Sequence, residues 1–144
     1  MIAGVKIHTV TTHNDKRGFF REIFRFSTGY NNLDVGQLSH SLVNEGIVKA
    51  WHAHKFQHQW NYVINGELRV ALYDNRRNSD TYQEKMKLDI NEETGPIAYF
   101  FPSGVLHGYR CLKGPMNIIY CTTGIYDLDD EIRIENKSLI SELL

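Results

Sequence analysis

Apolar and polar residues alternate along most of this chain, in short runs such as "IAGVKIHTV", "QLSHSLV", "GIVKAWHAH" and "DTYQEKMKLDI". A period of two is the pattern of β-strands that bury one face. In "QWNYVINGELRVALYD", the dipeptide Asn65-Gly66 separates two alternating runs, and such a dipeptide is the strongest short signal for a β-hairpin. The pattern therefore predicts a chain built mainly of strands, with a hairpin turn at Asn65-Gly66.

Turn-forming residues separate these runs at "NDKRG", "DNRRNSD", "NEETGP", "PSG" and "KGP". Only the C-terminal "NKSLISELL" has helical spacing, with its leucine and isoleucine side chains on one stripe. Many short strands with regular turns are typical of a β-sandwich or barrel. We see no repeat or linker, and 144 residues suit one core. We expect residues 1–144 to form a single all-β domain with a short C-terminal helix.

Composition and charge narrow the choice of partners. The net charge is −1 with no block of like charges, so nucleic acid and anionic membrane surfaces are not expected partners. No apolar run approaches membrane-spanning length, and the first residues lack the pattern of a signal peptide. Two cysteines, Cys111 and Cys121, are too few for a disulfide scaffold. A reduced, cytoplasmic protein is the expectation.

Histidines dominate the candidate chemistry. In "GIVKAWHAHKFQHQW", His52, His54 and His58 are spaced by two and four residues, which places them on one face of a strand. Three imidazoles on one face can hold a metal ion, hold a base over a substrate, or coat a wet surface. The spacing alone leaves these three interpretations open.

The region around these histidines resembles the first motif of the cupin family. The match is "GIVKAWHAHKFQHQWNYVING", with Gln59 where the motif has a glutamate. "GPIAYFFPSGVLH", which ends at His107, approximates the second motif. The resemblance implies a jelly-roll β-barrel whose motif residues point into the lumen. In metal-binding cupins the ligands would match His52, His54, Gln59 and His107. Gln59 brings no negative charge to offset a cation, so we expect neither a metal nor another cofactor.

A second resemblance covers most of the chain. "DKRGFFREIF", "QLSHSLVNEGIVKAWH" and "PSGVLHGY" are similar to segments of the dTDP-4-dehydrorhamnose 3,5-epimerase family, a cupin branch. Tyr120 lies thirteen residues after His107, where that family keeps a tyrosine. The resemblance implies that His52 is the catalytic base and Tyr120 the acid. It further implies a nucleotide-sugar site formed by Arg17, Glu22, Gln37, Ser39, Lys49, Gln59 and His107.

The chemistry of such a reaction fits these residue types. A ketone at C4 of a sugar acidifies the neighbouring C–H bonds, and epimerisation needs a base on one face of the ring and an acid on the other. Histidine is the natural base near neutral pH, and tyrosine, with a reference pKa of about 10, suits protonation of an enolate carbon.

Two departures from the family keep alternatives open. The family has a lysine at the position of Gln59, and its base pairs with an aspartate in a C-terminal extension that is largely absent here. None of Asp127, Asp129, Asp130 and Glu131 can be assigned to that role from sequence. "HAHK", residues 52–55, resembles sugar nucleotide 3,4-ketoisomerases, in which His54 would be a second catalytic residue.

We therefore carry three hypotheses. The leading one is an epimerase of a nucleotide-linked 4-keto-6-deoxysugar, the second a sugar nucleotide 3,4-ketoisomerase, and the third a metal-binding or non-catalytic sugar-binding cupin. The epimerase resemblance also implies a homodimer in which the N-terminal strand "IAGVKIHTV" extends a sheet of its partner, a pairing that would cover an open strand edge.

Overall fold

The computed structural model describes residues 1–25 and 35–144. This part of the chain contains ten strands and one helix. The strands are β1 (Lys6–Thr9), β2 (His13–Asp15), β3 (Gly18–Phe20), β4 (Gln37–Val43), β5 (Val48–His54), β6 (Gln59–Asp74), β7 (Lys85–Ile90), β8 (Ile97–Phe101), β9 (Val105–Thr122) and β10 (Glu131–Arg133), and the helix is α1 (Lys137–Leu143). The expectation of strands followed by one short helix is confirmed.

The predicted hairpin at Asn65-Gly66 is wrong. β6 continues through this dipeptide as one strand of 16 residues, and the pairing of β6 with β9 shifts register between Val63 and Leu68. Gly66 has a φ of 91°, and a Cβ there would lie 2.7 Å from the carbonyl oxygen of Lys113 on β9. Glycine is therefore required by a bend in one long strand against its neighbour, and not by a reversal of the chain.

The bend divides the molecule into two layers that share β6 and β9. In the first layer, residues 59–62 of β6 pair with β8 and residues 59–63 pair with residues 118–122 of β9, while β4 and β1 extend the two sides. In the second layer, residues 68–74 of β6 pair with β7 and with residues 105–111 of β9, while β5 and β10 extend the other side. Each layer thus has five strands, and side chains from both layers line one cavity between them.

Among the hydrophobic clusters of the described residues, two fix the position of the second layer. The larger lies between the layers and includes Leu68, Leu72 and Ile118. The smaller lies on the outer side of the second layer, where Leu139 and Leu143 of α1 pack with Trp51 and other residues. Asn136 caps α1, since its Oδ1 accepts from the backbone N–H of Leu139 at 3.0 Å. The helix therefore packs against the outer face of β5, on the side away from the other layer.

β2 and β3 form a separate two-stranded hairpin. In the aromatic segment "GFFREIFRF", residues 18–20 are strand and residues 21–25 are not, while Phe26 lies outside the described residues. Phe19 and Phe20 on this hairpin are each 64% exposed. In the described part of the chain, no helix is long and apolar enough to span a membrane.

Candidate active site

A cavity of about 300 Å³ lies between the two layers, a volume suited to part of a small-molecule ligand. The second layer lines it chiefly with Lys49, His52, His54, His107, Tyr109, Glu131 and Arg133. The first layer contributes chiefly Gln37, Ser41, Gln59, Asn61, Tyr99, Phe101 and Tyr120. The four cupin-motif residues expected in the lumen, His52, His54, Gln59 and His107, all line this one cavity, and so does Tyr120.

His52 is oriented by a carboxylate. Its Nδ1 lies 2.8 Å from Oε1 of Glu131 on the adjacent strand β10. Burial raises the pKa of Glu131, but hydrogen bonds from Arg133 and His52 outweigh it and leave the pKa below its usual value. An ionised carboxylate only accepts hydrogen bonds, so Nδ1 carries the proton and Nε2 keeps a free lone pair. His52 is thereby prepared to act as a base.

His54 has a carboxylate partner of its own. Its Nδ1 lies 2.9 Å from Oδ2 of Asp130, whose side chain is 2% exposed. The backbone N–H of Phe56 donates to the other oxygen of Asp130 at 2.7 Å. Two histidines of β5 at the cavity are therefore each bonded to a carboxylate, one at the first residue of β10 and one immediately before it.

His107 contributes a neutral ring. It stacks on Phe101, with ring centroids 4.2 Å apart, and its centroid lies 5.7 Å from that of His54. Burial, followed by the nearby histidines, lowers the pKa of His107 to about 3. Its Nδ1 donates to the carbonyl oxygen of Val105 at 3.2 Å. The ring therefore carries no charge near neutral pH and leaves Nε2 as an acceptor.

Tyr120 enters from the first layer, and its hydroxyl lies 3.4 Å from that of Ser41. Burial, then the neighbouring Tyr120, raises the pKa of Tyr109 to about 12, and burial also raises the pKa of Tyr99. Both of these phenols stay protonated at any physiological pH. Because His52 belongs to the second layer and Tyr120 to the first, the imidazole and the phenol approach the cavity from different walls.

The remaining predicted substrate-binding residues divide into two groups. Gln37 lines the cavity, donates from Nε2 to Oγ of Ser39 at 2.9 Å, and accepts from the backbone N–H of Tyr126 at 2.7 Å. Ser39 is half-buried on the same face of β4, and Lys49 is an exposed cation at the cavity.

Arg17 and Glu22 do not line the cavity of their own chain. Arg17 sits at the tip of the exposed β2–β3 hairpin, where its side chain is 83% exposed and pairs with Asp15. Glu22 pairs with Arg25 at 2.7 Å. The placement expected for these two residues is therefore not found within one copy of the chain.

The third histidine of the motif, His58, stacks on Phe100 and its Nδ1 accepts from the backbone N–H of Ser103 at 3.2 Å. Burial lowers its pKa. This contact holds the loop after β8 and does not face the cavity.

Within residues 1–25 and 35–144, no group of three or more histidine, cysteine, aspartate or glutamate side chains is arranged to hold a metal ion. The expectation of a metal-free protein stays a prediction.

Sequence reasoning missed three features of the site. Glu131 and Asp130 form hydrogen bonds with His52 and His54, whereas the sequence shows only that both belong to the acidic stretch "DLDDEIR". Asn61 was overlooked because it lies in an apolar strand, but its side chain is buried against the cavity and accepts from Nε2 of Gln59 at 2.6 Å.

Comparisons with known proteins identify the family of this chain. A sequence model of the dTDP-4-dehydrorhamnose 3,5-epimerase family matches residues 1–140. The spore coat polysaccharide biosynthesis protein SpsL of Bacillus subtilis is 41% identical over 93% of this chain and 89% of its own length. The probable low-salt glycan biosynthesis epimerase Agl13 of Haloferax volcanii is 27% identical over 90% of this chain and 83% of its own length.

Among solved structures, a dTDP sugar isomerase from Desulfovibrio desulfuricans superposes with a TM-score of 0.84 over 96% of this chain and 88% of its own. At 19% identity this superposition speaks for the fold alone, and it confirms the prediction of a cupin jelly roll. With a family match over nearly the full sequence and a closely similar curated relative, this chain belongs to the dTDP-4-dehydrorhamnose 3,5-epimerase family.

Proposed function

We propose that this protein is an epimerase of a nucleotide-linked 4-keto-6-deoxysugar. The observation that carries the proposal is the pairing of His52 with Glu131 on one wall of the cavity and the placement of Tyr120 on the other. Inverting a carbon requires removal of a proton from one face and delivery to the opposite face, and these walls supply one group for each.

The reaction proceeds through an enolate. Nε2 of His52 takes the proton from a carbon next to the C4 ketone, and the electron pair of that C–H bond moves onto the ketone oxygen. The phenol of Tyr120 then delivers its proton to the other face of the same carbon, and the ketone re-forms. His52 releases its proton to solvent and the tyrosinate regains one, so the enzyme returns to its starting state without a cofactor.

Two cationic side chains at the cavity can bind the diphosphate of a nucleotide sugar. Lys49 and Arg133 are exposed side chains at the cavity, suited to a diphosphate. The names of SpsL and Agl13 refer to polysaccharide and glycan biosynthesis, and we assign this chain to carbohydrate biosynthesis on that basis. Its two cysteines, Cys111 and Cys121, are buried and unpaired, which supports a reducing cytoplasmic location.

We also propose a homodimer in which the β2–β3 hairpin reaches the partner's cavity. The hairpin holds Arg17 and two exposed phenylalanines away from its own cavity, and exposed aromatic side chains favour a protein interface. β1 pairs with β8 along one edge and ends the order of its sheet, so its other edge is the one suited to extend a sheet with the partner. Light scattering should give twice the chain mass at micromolar concentration, and a monomer would contradict the dimer.

Deuterium exchange tests the epimerase directly. Incubation with dTDP-4-keto-6-deoxyglucose in D₂O should place deuterium at C3, C5 or both, as read by NMR. His52→Asn should lower the exchange rate by at least ~10²-fold, because the proton acceptor is lost. His40→Asn is the matched control, since His40 is exposed on β4 and bonded to Asn117. Full exchange by His52→Asn would refute the proposal, and tight binding without exchange by the wild type would favour a non-catalytic sugar-binding cupin.

The second candidate, a 3,4-ketoisomerase, is favoured by one observation. His54 is bonded to Asp130 at the same cavity and can move a second proton. A ketoisomerase would shift the ketone from C4 to C3, which NMR of the product distinguishes from epimerisation. His54→Asn should abolish ketone migration but reduce epimerisation only moderately, so this variant separates the two activities.

A further inference from the structure

One buried donor in the cavity wall has no acceptor. The side chain of Asn61 is on a residue only 2% exposed, and its Nδ2 has no hydrogen-bond partner among the described residues. Its Oδ1 is occupied, because Nε2 of Gln59 donates to it at 2.6 Å. A buried N–H group without an acceptor destabilises a fold, and such groups are rare unless a ligand satisfies them.

The position of this donor relative to the proposed acid is set by strand register. Asn61 on β6 is directly opposite Tyr120 on β9, and residues opposite each other in an antiparallel pair place their side chains on the same face with Cβ atoms about 5 Å apart. Both side chains line the cavity. A carbon that Tyr120 protonates is bonded to the ketone carbon, so the ketone oxygen falls within the neighbourhood of Asn61.

The described residues on this wall offer no cation for the developing enolate. Gln59 is neutral, where the resemblance to the family implies a lysine. His107 on the facing wall is neutral as well, since burial, followed by the nearby histidines, lowers its pKa to about 3. The negative charge on the enolate oxygen must be met by a preorganised dipole, and an amide N–H held rigid in a buried position serves this purpose.

We propose that Nδ2 of Asn61 donates a hydrogen bond to the C4 oxygen of the substrate as that oxygen becomes an enolate. This inference rests on the proposed function. Asn61 is then a catalytic residue, and Gln59 is a positioning residue that holds the asparagine amide with Nδ2 directed at the substrate. The unsatisfied Nδ2 donor destabilises the free protein, and it gains an acceptor in the transition state.

Replacing the whole amide pair by apolar residues of similar shape tests the proposal. In Gln59→Met/Asn61→Leu the orphan donor is gone, so the melting temperature should stay the same or rise. The rate of deuterium exchange at saturating substrate should fall by ~10²–10³-fold, the usual effect of removing an oxyanion donor, with little change in KM. Asn61→Ala, which shortens a side chain facing the cavity, should show the same loss of exchange and serves if the double variant does not fold.

A second amide pair on the same two strands is the matched control. Asn117 donates from Nδ2 to Oδ1 of Asn65 at 2.7 Å, and Asn65 donates to the carbonyl oxygen of Pro115. Asn65→Leu/Asn117→Leu should lower the melting temperature and leave exchange unchanged.

The outcomes separate the two claims. A wild-type protein that does not exchange deuterium refutes the proposed function and this inference together. A wild type that exchanges, with Asn61 variants that exchange within about tenfold of it, overturns only the role of Asn61. A melting temperature that falls in Gln59→Met/Asn61→Leu while exchange persists would show that the pair is structural.

Discussion

Replacing Glu131 by glutamine should remove the base without removing His52. In the native site Glu131 accepts two hydrogen bonds, from Nδ1 of His52 at 2.8 Å and from Arg133 at 3.0 Å. A glutamine has one oxygen and one NH₂ group, so it can accept only one of these two donors in this geometry. The guanidinium of Arg133 is always charged and only donates, so it takes the oxygen. The NH₂ group then faces Nδ1 of His52.

The consequence is the wrong tautomer of the imidazole. Nδ1 must accept from the glutamine, so the ring proton moves to Nε2, which can no longer take a proton from the substrate. The same exchange of an orienting carboxylate for an amide in a serine-protease triad lowers the turnover by ~10⁴-fold. We expect kcat for deuterium exchange to fall by ~10³–10⁴-fold in Glu131→Gln, equivalent to about 4–5.5 kcal/mol of activation free energy.

The argument predicts a rescue. In Glu131→Gln/Arg133→Met nothing fixes the glutamine oxygen, so the amide can turn and accept from Nδ1. Its kcat should exceed that of Glu131→Gln by about tenfold or more, although KM should rise if Arg133 binds the diphosphate. Glu135→Gln, an exposed neighbour in sequence, is the charge-matched control. A Glu131→Gln protein within about tenfold of the wild type, or a double variant no faster than the single one, would refute the tautomer argument.

Three further predictions follow from the site. Tyr120→Phe should still exchange deuterium into the substrate while making little epimer, and loss of both activities would mean that Tyr120 is not only the acid. His107→Gln should lessen the loss of stability on acidification. The wild-type ring is neutral in the folded protein but takes a proton in the unfolded chain, so the free energy of unfolding falls from about pH 6.5 towards pH 3, by about 2 kcal/mol at pH 5. Urea titrations at several pH values measure this fall, and an equal fall for the wild type and the variant would contradict the prediction. Elemental analysis of the purified protein should find no stoichiometric metal, and chelators should leave exchange intact, whereas one equivalent of Zn, Fe or Ni would argue for the metal-binding cupin.

Much of the fold is present in local sequence patterns. Alternation in "QLSHSLV" and "VKAWHAH" reports which face of each strand is buried, because side chains alternate across a strand whatever its partners are. That alternation also put His52 and His54 on one face. The helical stripe at the C-terminus predicted α1 for the same reason.

The hairpin signal failed because it is local as well. Asn65-Gly66 permits a positive φ, but a tight turn and a bend in a continuous strand both use one. Only the neighbouring strand distinguishes them: β9 runs alongside both halves of β6 and bends with it, which joins the two layers.

The chemistry of the site was decided by the tertiary structure. The sequence identified His52, His54, Gln59, His107 and Tyr120 as one group, through their spacing and a family resemblance. Their working partners come from contacts between residues 76 and 79 positions apart, His54 with Asp130 and His52 with Glu131. Such contacts depend on β10 pairing with β5, and no periodicity within either segment encodes that pairing. Tertiary structure also decided that Nδ2 of Asn61 is buried without an acceptor and that Arg17 lies outside the cavity of its own chain. Burial and distance from the cavity are properties of the assembled layers and not of the residues themselves.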